Sequence, residues 1–351
     1  MNKAIVNRWF NALEIVEVHC QGEIGKVIFS GAAETPGKTA LEKMNHINQV
    51  DDALRKFVTA EPRASVQMSF NLLVEPSHPD ADAAFIVLQA DKAHAMSGSN
   101  CICVVTALLE TGKVKMLEPQ TIVKVETPAG LITAVAHCEE GRCVSVTLQN
   151  IPCYSETLDY EFDADEWGTL KADIAFGGVF YAIVDVQQIG LTIAPENARL
   201  LADAGMKLKT KLNQAVTICH PELPGVEGIA YVMFREWEPN GIVRTCTTLK
   251  PGRVDRSPCG TGSSANLATM QARGQIKQGE KQISRSIIGG QFSVEFANQT
   301  TIGNKPAVIP KITGSGWIYG IEYLRLDPRD PFQNGFALSD TWGPDVKEFF
   351  S

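Results

Sequence analysis

The feature that most limits the fold of this chain is an internal match between its two halves at one constant offset. Ser97-Gly98-Ser99 falls on Cys259-Gly260-Thr261, an offset of 259 − 97 = 162 residues. Both copies predict a turn, a helix, a glycine that ends the helix, and then a strand. Two unrelated helices that share a few positions are the alternative explanation. The further pairs are Gly112 with Gly274, Val114 with Ile276, Lys115 with Lys277, Glu118 with Glu280 and Gln120 with Gln282.

The two matched helices have the composition of buried elements. Residues 99–110 are apolar on nearly every face, and residues 261–272 are rich in small residues that permit close packing. The segments around them have the β-branched character of strands, without the regular strand–helix alternation of a doubly wound sheet. The sequence therefore predicts an α+β protein with a duplicated unit, in which strands surround one buried helix.

The length of 351 residues predicts two lobes, since one domain usually has about 150 residues. The first lobe is predicted to span residues 1–186 around helix 99–110, and the second residues 187–327 around helix 261–272. The tail, residues 328–351, is assigned to neither lobe, and its packing on the first lobe is left open. Further helices are predicted at Lys38–Phe57 and Pro195–Leu212.

Charge and hydropathy restrict the classes of molecule with which this protein is expected to interact. Lys and Arg total 32 against 40 Asp and Glu, so the net charge of −8 is opposite to the basic surface that nucleic acids require. The opening stretch, MNKAIVNRWFNALEIVEV, lacks the apolar run of a signal peptide, and no later segment approaches about 18 uncharged apolar residues. We expect a cytoplasmic protein with no nucleic-acid and no membrane partner.

The nine cysteines do not follow the rhythm of a disulfide framework, so most are expected to be reduced core thiols. Cys101 and Cys103 are two residues apart, which on a helix points them to different faces. Cys138 and Cys143 have no nearby CxxC or HxxxH partner. No metal site is predicted.

Each matched helix begins with a small nucleophilic residue, Ser97 in the first copy and Cys259 in the second. Unpaired backbone N–H groups and the helix dipole favour an anion at such a start, and a carboxylate fits there. The same field lowers the pKa of a thiol, so Cys259 is predicted to be reactive, with Arg256 adding to the effect and Asp255 opposing it. If the halves face each other, both residues flank one ligand, which suits proton transfer at a carbon next to a carboxylate. The simpler alternative is an N-cap serine and a core cysteine.

Residues 260–265 also satisfy a relaxed dinucleotide-binding fingerprint, GxGxxA, and Glu280 lies about 20 residues further on. The context does not fit this motif. Residues 250–259 do not have the pattern of a buried strand, and no βαβ unit surrounds them. A nucleotide cofactor is therefore not expected.

Several motifs together resemble the proline racemase family. Residues 255–262, DRSPCGTG, resemble its second active-site motif, and residues 96–100, MSGSN, occupy its first motif, usually written MCGH. The resemblance spans nearly the whole chain. It implies a diaminopimelate-epimerase-like fold of two pseudo-symmetric lobes, each a curved, mostly antiparallel, barrel-like sheet around a central buried helix, with the site between them and no cofactor. Supporting matches are residues 36–39, 42–44, 61–63 and 176–181.

The resemblance also implies roles for single residues. Ser97 and Cys259 take the catalytic positions, and in the family the backbone groups after each of them hold the substrate carboxylate. The aspartate of the second motif contacts the ring nitrogen. A substrate-contacting histidine of the epimerases maps by counting onto a tyrosine. The substrate-binding residues so implied are Gly98, Ser99, Tyr231, Asp255, Gly260 and Thr261.

One departure from the family pattern bears on the reaction, because Ser97 replaces the first of two cysteines used by the racemases and 4-hydroxyproline epimerases. A hydroxyl is a far poorer base than a thiol near neutral pH. The Ser/Cys pair, with residues 63–71, is similar to the branch that dehydrates trans-3-hydroxy-L-proline, some members of which also epimerise 4-hydroxyproline. We therefore predict a cofactor-independent hydro-lyase of hydroxyproline catabolism that forms pyrroline-2-carboxylate. Cys259 is the predicted base, although the two roles could be reversed.

Two other functions stay open. The first is an isomerase, a 4-hydroxyproline 2-epimerase or proline racemase, alone or as a second activity. The second is a non-catalytic protein that binds an imino acid at the two helix starts. All three share a small-molecule imino acid as partner, and a homodimer is left open.

Overall fold

A computed structural model provides the structure of the protein and describes residues 12–343. Most of the opening stretch used in the signal-peptide argument, residues 1–11, and residues 344–351 of the predicted tail lie outside the described residues. The α-helices within this range are α1 (Ala40–Gln49), α2 (Ala53–Thr59), α3 (Gly98–Glu110), α4 (Ala198–Ala215), α5 (Gly260–Ala272) and α6 (Ser339–Trp342). Short 3-10 helices lie at Asp165–Trp167, Val186–Ile189 and Pro195–Asn197.

Strands dominate the described chain and confirm the predicted α+β class. The strands are β1 (Leu13–Cys20), β2 (Glu23–Ser30), β3 (Met68–Val74), β4 (Ala83–Leu88), β5 (Ala93–His94), β6 (Gln120–Thr127), β7 (Gly130–Glu139), β8 (Arg142–Gln149), β9 (Cys153–Asp163), β10 (Thr169–Phe176), β11 (Phe180–Asp185), β12 (Ile229–Trp237), β13 (Val243–Leu249), β14 (Arg253–Val254), β15 (Lys281–Ser286), β16 (Gln291–Ile302), β17 (Lys305–Gly314) and β18 (Gly316–Leu324). The chain divides into two compact units. The first comprises the residues up to Val146 together with those from Ser315 onwards, and the second is Thr147–Gly314.

The first unit is a sheet packed against α3. Its strand order is β18-β1-β2-β3-β4-β6-β7, antiparallel except for the parallel pairs β2–β3 and β4–β6. Helix α3 contacts β1, β2, β3, β7 and β18, and its residues 99–109 are all buried. This burial agrees with the apolar composition of the helix on nearly every face.

The second unit is a closed ring of eight strands in the order β9-β10-β11-β12-β13-β15-β16-β17, with β17 pairing back to β9. The pairs β11–β12 and β13–β15 are parallel and the others antiparallel. Helix α5 contacts β9, β10, β11, β16 and β17, and residues 262–270 of the helix are buried. Helix α4 packs on β12, β13 and β14. Its buried face is the leucine and small-residue stripe Leu201, Ala202, Ala204, Gly205, Leu208 and Leu212.

The internal match extends well beyond the residues that revealed it. An offset of 162 places α3 on α5 residue for residue, 98–110 on 260–272. The same offset places β3 on β12, β6 on β15, β7 on β16, β8 on β17 and β9 on β18, with ends that agree within three residues. The two parallel pairs also recur at equivalent positions. Two unrelated helices would not produce this agreement, so the duplication is a property of the whole fold.

The compact units divide at a different place from the lobes expected from sequence. The boundary predicted after residue 186 falls inside the second unit, because β9, β10 and β11 belong to that unit. Strands β9 and β10 are joined by a short connection and form a local antiparallel hairpin, which is the usual outcome for consecutive strands. Strand β18, expected in the second lobe, instead pairs with β1 of the first unit.

The described part of the tail contacts the first unit. Glu61 and Phe336 form an isolated antiparallel bridge, and the Arg63 guanidinium donates to the Gln333 carbonyl at 3.0 Å. The single helix expected at Lys38–Phe57 is two helices, α1 and α2, separated by the Asp51-Asp52 turn. The helix expected at Pro195–Leu212 begins with a 3-10 turn and continues as α4. Within residues 12–343, no helix is long and apolar enough to cross a bilayer.

Candidate active site at two helix starts

Ser97 immediately precedes α3 and has an extended backbone, with φ −150° and ψ 128°. Its carbonyl accepts from the Cys101 N–H at 2.9 Å, so the backbone of Ser97 begins the helix. Its hydroxyl, however, makes no capping hydrogen bond to the backbone of the first turn. Ser97 is therefore an N-cap by position but not by side chain, and the simpler capping alternative does not describe what its hydroxyl does.

The hydroxyl of Ser97 is instead held by two side chains of α3. The Asn100 amide nitrogen, Nδ2, donates to Ser97 Oγ at 3.0 Å, and Ser99 Oγ lies 3.3 Å from the same oxygen. Asn100 and Ser99 are both buried. A Cβ added to Gly98 would meet no atom within 4 Å, so the backbone at the start of α3 has free space beside it. Such space lets a ligand approach the N–H groups of the first turn.

Cys259 immediately precedes α5 in a strained conformation. Its φ is +62°, which lies in a region that residues other than glycine rarely adopt. Among the non-glycine residues with positive φ in the described chain, Cys259 alone is buried. Its N–H donates to Ser257 Oγ at 3.1 Å, and its carbonyl accepts from the Ser263 N–H at 2.8 Å. Strain of this kind persists where the surroundings hold it, and it concentrates at functional sites.

A small polar cluster surrounds the thiol of Cys259. The Tyr181 hydroxyl lies 3.4 Å from Cys259 Sγ and 2.7 Å from Thr261 Oγ1. The Tyr231 ring packs beside Tyr181 with centroids 5.6 Å apart, so two predicted residues, Tyr231 and Thr261, lie in one cluster with Cys259. Gly262 completes it, because a Cβ there would lie 2.8 Å from Met233 Sδ and 3.3 Å from Cys259 Sγ. The sulfur is therefore closely enclosed on the protein side.

Asp255 supports the turn that leads into Cys259. One carboxylate oxygen accepts from the Ser257 N–H at 2.8 Å and from the Ser257 hydroxyl at 2.9 Å. Ser257 then uses its hydroxyl oxygen to hold the Cys259 N–H, so Asp255 reaches the thiol turn through one intermediate residue. Asp255 is buried. The structure thus gives Asp255 a structural contact, and the predicted contact with a ring nitrogen stays a prediction.

The pKa of Cys259 departs from its ordinary value in the direction opposite to the sequence-based expectation. Burial of the thiol, with a smaller contribution from the nearby charge of Asp255, raises its pKa to about 11. The Tyr181 hydroxyl and the Gly262 N–H oppose this shift by donating to the sulfur. The expectation of a lowered pKa was wrong because burial disfavours the thiolate by more than the hydrogen-bond donors around the sulfur favour it.

Three residues beside Ser97 or Cys259 have no role in the sequence-based prediction. Tyr181 lies in the matched segment 176–181, Asn100 lies in the first motif, and Ser257 lies in the second motif. Ser257 and Asn100 could have been found from the sequence, because each lies within three residues of a catalytic position. Tyr181 could not, because it lies 78 residues from Cys259 and only the fold brings the two together. Among residues 12–343, no group of three or more His, Cys, Asp or Glu side chains is arranged to hold a metal ion.

Comparison with known proteins identifies the family. A family model described as proline racemase matches residues 15–337, nearly the whole chain. The chain belongs to the proline racemase family. A 4-hydroxyproline 2-epimerase of Agrobacterium fabrum is 52% identical over 341 residues, which are 97% of this chain and 99% of that protein. A 4-hydroxyproline 2-epimerase of Rhizobium rhizogenes is 52% identical over 339 residues, 96% of this chain and 98% of that protein.

Solved structures agree with the family assignment and with the fold. The crystal structure of a hydroxyproline epimerase from Agrobacterium vitis, with bound trans-4-hydroxy-L-proline, has a TM-score of 0.89 at 52% identity and covers 97% of this chain and 99% of that one. A PhzF-family phenazine biosynthesis protein of Bacillus anthracis has a TM-score of 0.57 at 11% identity, covering 90% and 99%, which speaks for the fold alone. The diaminopimelate-epimerase-like fold is confirmed. The relatives of this proline racemase family enzyme are named for epimerisation, the predicted alternative, and not for dehydration.

Proposed function

We propose that the protein is a 4-hydroxyproline 2-epimerase. The observation that carries the proposal is the crystal structure of a 52% identical epimerase with bound trans-4-hydroxy-L-proline, matched over 97% of this chain. The two helix starts support it, since each offers backbone N–H groups for an anion and one side chain suited to proton transfer. This choice replaces dehydration as the main reaction. It retains the predicted imino-acid substrate and hydroxyproline metabolism.

In the proposed reaction the C2 proton leaves on one face of the ring and a different proton arrives on the other. The Cys259 thiolate takes the C2 proton and becomes a thiol, and the C2 electron pair is delocalised into the carboxylate. Ser97 then donates its hydroxyl proton to the opposite face of C2 and is left as an alkoxide. In the reverse direction the roles exchange. Exchange of protons with solvent restores the starting state of both residues.

The binding roles proposed for the other residues are those that the resemblance to the family implies. The backbone N–H groups of Gly98, Ser99, Gly260 and Thr261 hold the substrate carboxylate, where the developing negative charge needs donors. Asp255 interacts with the ring nitrogen, and Tyr231 contacts the substrate ring. No cofactor takes part in these steps, so turnover is expected without added metal or nucleotide. A cytoplasmic location and a homodimer stay predictions.

Dehydration of trans-3-hydroxy-L-proline is the second candidate, and Ser97 is the observation that favours it. In that isomer the C2 hydrogen and the 3-hydroxyl lie on the same ring face, so one residue could remove the proton and return it to the leaving hydroxyl. The C2–H and C3–O bonds break, water leaves, and a pyrroline-2-carboxylate forms. A weak second base is less of a handicap in this reaction than in epimerisation.

Proton NMR in D2O separates the two candidates. The pure protein is incubated separately with trans-4-hydroxy-L-proline, trans-3-hydroxy-L-proline and L-proline. Appearance of cis-4-hydroxy-D-proline with deuterium at C2 is the expected result. Conversion of the 3-hydroxy compound alone would favour the dehydratase, and binding without any C2 exchange would favour a non-catalytic protein.

The residue assignment is tested in the same assay with a matched pair of variants. Cys259→Ser is expected to lower epimerisation by about 10²–10⁴-fold, because it removes the stronger base. Cys219→Ser makes the same chemical change at an exposed thiol and is expected to keep wild-type activity. Full activity of Cys259→Ser would exclude Cys259 as the base.

A further inference from the structure

We propose that Asn100, held in place by Asn71, is a positioning residue that keeps the hydroxyl proton of Ser97 free for the substrate. The inference rests on the proposed epimerase function, in which Ser97 must give a proton to C2. It concerns three side chains of the first unit. Asn71 lies on β3 and is fully buried, and Asn100 lies on the first turn of α3 and is nearly so.

A backbone carbonyl fixes the orientation of both amides. The Asn71 Nδ2 faces two oxygens, the Lys26 carbonyl at 3.3 Å and Asn100 Oδ1 at 2.9 Å. The Lys26 carbonyl can only accept, so rotating the Asn71 amide would bring three acceptors together. Asn100 must then present its oxygen to Asn71 and its nitrogen to Ser97. The chain of bonds therefore ends with an N–H pointing at Ser97 Oγ.

This orientation determines what the Ser97 hydroxyl can do. Its oxygen accepts a hydrogen bond from Asn100 and makes no bond to the helix backbone. Its other polar partner is Ser99 Oγ at 3.3 Å, and because Ser99 carries a hydroxyl proton of its own it can donate to Ser97, which leaves the Ser97 proton available to the substrate. After that proton is given to C2, the oxygen is an alkoxide. An amide N–H aimed at it forms a charge-assisted hydrogen bond, which is stronger than the neutral one. Asn100 thus favours proton donation, and it stabilises Ser97 as a base in the reverse direction.

The second half of the chain shows what this position looks like when the catalytic residue is a thiol. The offset of 162 that places Ser97 on Cys259 also places Asn100 on Gly262 and Asn71 on Met233. Both of these second-half residues touch the space beside Cys259 Sγ, and neither has a side-chain N–H to donate. The amide pair therefore occurs in the half that must activate a hydroxyl, and the equivalent residues provide no side-chain donor in the half that holds a thiol.

The Asn71–Asn100 amide pair leaves a buried polar atom without a partner, which a purely structural role would not require. Asn71 Oδ1 is buried without a hydrogen-bond partner, and Gly25 is needed beside the pair, since a Cβ there would lie 2.7 Å from Asn100 Oδ1. An unsatisfied buried carbonyl destabilises a fold, because the group has lost its hydrogen bonds to water and gained none in the protein. An apolar residue at position 71, such as the equivalent methionine, would avoid this cost.

The test compares two outcomes at C2 in D2O, starting from trans-4-hydroxy-L-proline and from cis-4-hydroxy-D-proline. Inversion at C2 needs both Cys259 and Ser97. Deuterium entry with retained configuration, from the isomer whose C2 hydrogen faces the thiolate, needs Cys259 alone. Asn100→Asp keeps the shape of the side chain but replaces the donor with an acceptor. We expect it to lower inversion by about 10–100-fold and exchange with retention by less than threefold.

Two further variants control for folding. Asn71→Leu removes the anchor of Asn100 without changing Asn100 itself, and it is expected to lower inversion in the same selective way by a smaller factor. Thr106→Val removes a fully buried hydroxyl that bonds the Ile102 carbonyl in the same helix, and it is expected to leave the ratio of inversion to exchange unchanged. Far-UV circular dichroism of each variant reports whether the helix is retained.

The outcomes separate this proposal from the proposed function. Wild-type protein that exchanges C2 without inversion, or does not act on 4-hydroxyproline at all, overturns both. Wild-type inversion with an unchanged ratio in Asn100→Asp and Asn71→Leu overturns the positioning role and leaves the epimerase intact. Equal loss of inversion and exchange in both variants also overturns it, because that pattern indicates a structural contribution only.

Discussion

At the residue scale, burial keeps the thiol of Cys259, the proposed base, mostly in its protonated form. The thiol is buried and its pKa is raised to about 11, so only a small share of the molecules carries the thiolate near neutral pH. The Tyr181 hydroxyl donates to the sulfur and lowers the pKa from where burial alone would place it. Because a hydrogen bond to the charged form favours that form, Tyr181 increases the share of thiolate at any given pH.

The pH dependence of kcat/KM tests this arrangement. Since the thiolate share grows tenfold per pH unit below the pKa, kcat/KM is expected to rise steadily between about pH 7 and 10. In Tyr181→Phe the pKa of Cys259 rises, so the same limb is expected to move to higher pH. Tyr160→Phe removes a hydroxyl that bonds the Ala215 carbonyl away from the thiol, and it serves as the matched control. A limb that stays in place in Tyr181→Phe would contradict the role of the hydroxyl.

At the element scale, a glycine of the β10–β11 turn packs directly against the backbone of the first turn of α5. A Cβ added to Gly177 would lie 2.1 Å from the Thr261 carbonyl oxygen and 2.8 Å from the Ala265 nitrogen. Both are backbone atoms of α5, so the helix itself would have to move. Strand β11 begins three residues after Gly177, and its second residue, Tyr181, lies beside Cys259.

Gly177→Ala is therefore expected to lower the free energy of unfolding by about 1–3 kcal/mol, as for other overpacked sites, and to reduce activity by displacing Tyr181. Urea unfolding followed by circular dichroism measures the first effect. The control is Gly274→Asn at the other end of α5, where φ is +69° and an added Cβ meets no atom within 4 Å. Asparagine tolerates that conformation, so the loss there should stay below about 1 kcal/mol. Equal losses in the two variants would argue against a close-approach effect at Gly177.

At the scale of the whole molecule, buried thiols connect the stability of the fold to pH. Eight of the nine cysteines are buried. Burial raises the pKa of Cys101 and Cys143 to about 12 and places the pKa of Cys103, Cys153 and Cys246 well above the ordinary value near 9. In the unfolded chain these thiols ionise above about pH 9, whereas in the fold they stay protonated. The free energy of unfolding therefore falls as the pH rises above 9 and is unaffected by these groups below it.

Each buried thiol contributes up to about 1.4 kcal/mol per pH unit to this loss. Cys246→Val, a substitution that suits a buried position on β13, is expected to make the decline between pH 9 and 10 shallower by about that amount. Urea unfolding in a reducing buffer at pH 8, 9 and 10 measures it. Cys219→Ser changes an exposed thiol and should leave the slope as in wild type. The same slope in all three proteins would show that other groups control the alkaline loss.

The duplication, the two buried helices and the residues that begin them can be recognised in the amino-acid sequence alone. These features are local or strictly periodic: a helix that is apolar on nearly every face must be surrounded by protein, and a constant offset of 162 marks equivalent positions. For the same reason the α+β class and the family motifs at residues 96–100 and 255–262 could be recognised without coordinates.

Three features depend on the three-dimensional fold: the pairing of β9 and β18, the pKa of the Cys259 thiol, and the side chain that holds the Ser97 hydroxyl. Strand pairing depends on which edges meet after the chain has folded, and β18 joins β1 from the far end of the sequence. The helix-start field that favours a thiolate is local, but the burial that outweighs it comes from residues such as Tyr181, 78 positions away. The amide pair depends on a carbonyl of Lys26, which no side-chain pattern encodes. Desolvation and hydrogen-bond direction are set by neighbours in space, and the sequence orders neighbours only along the chain.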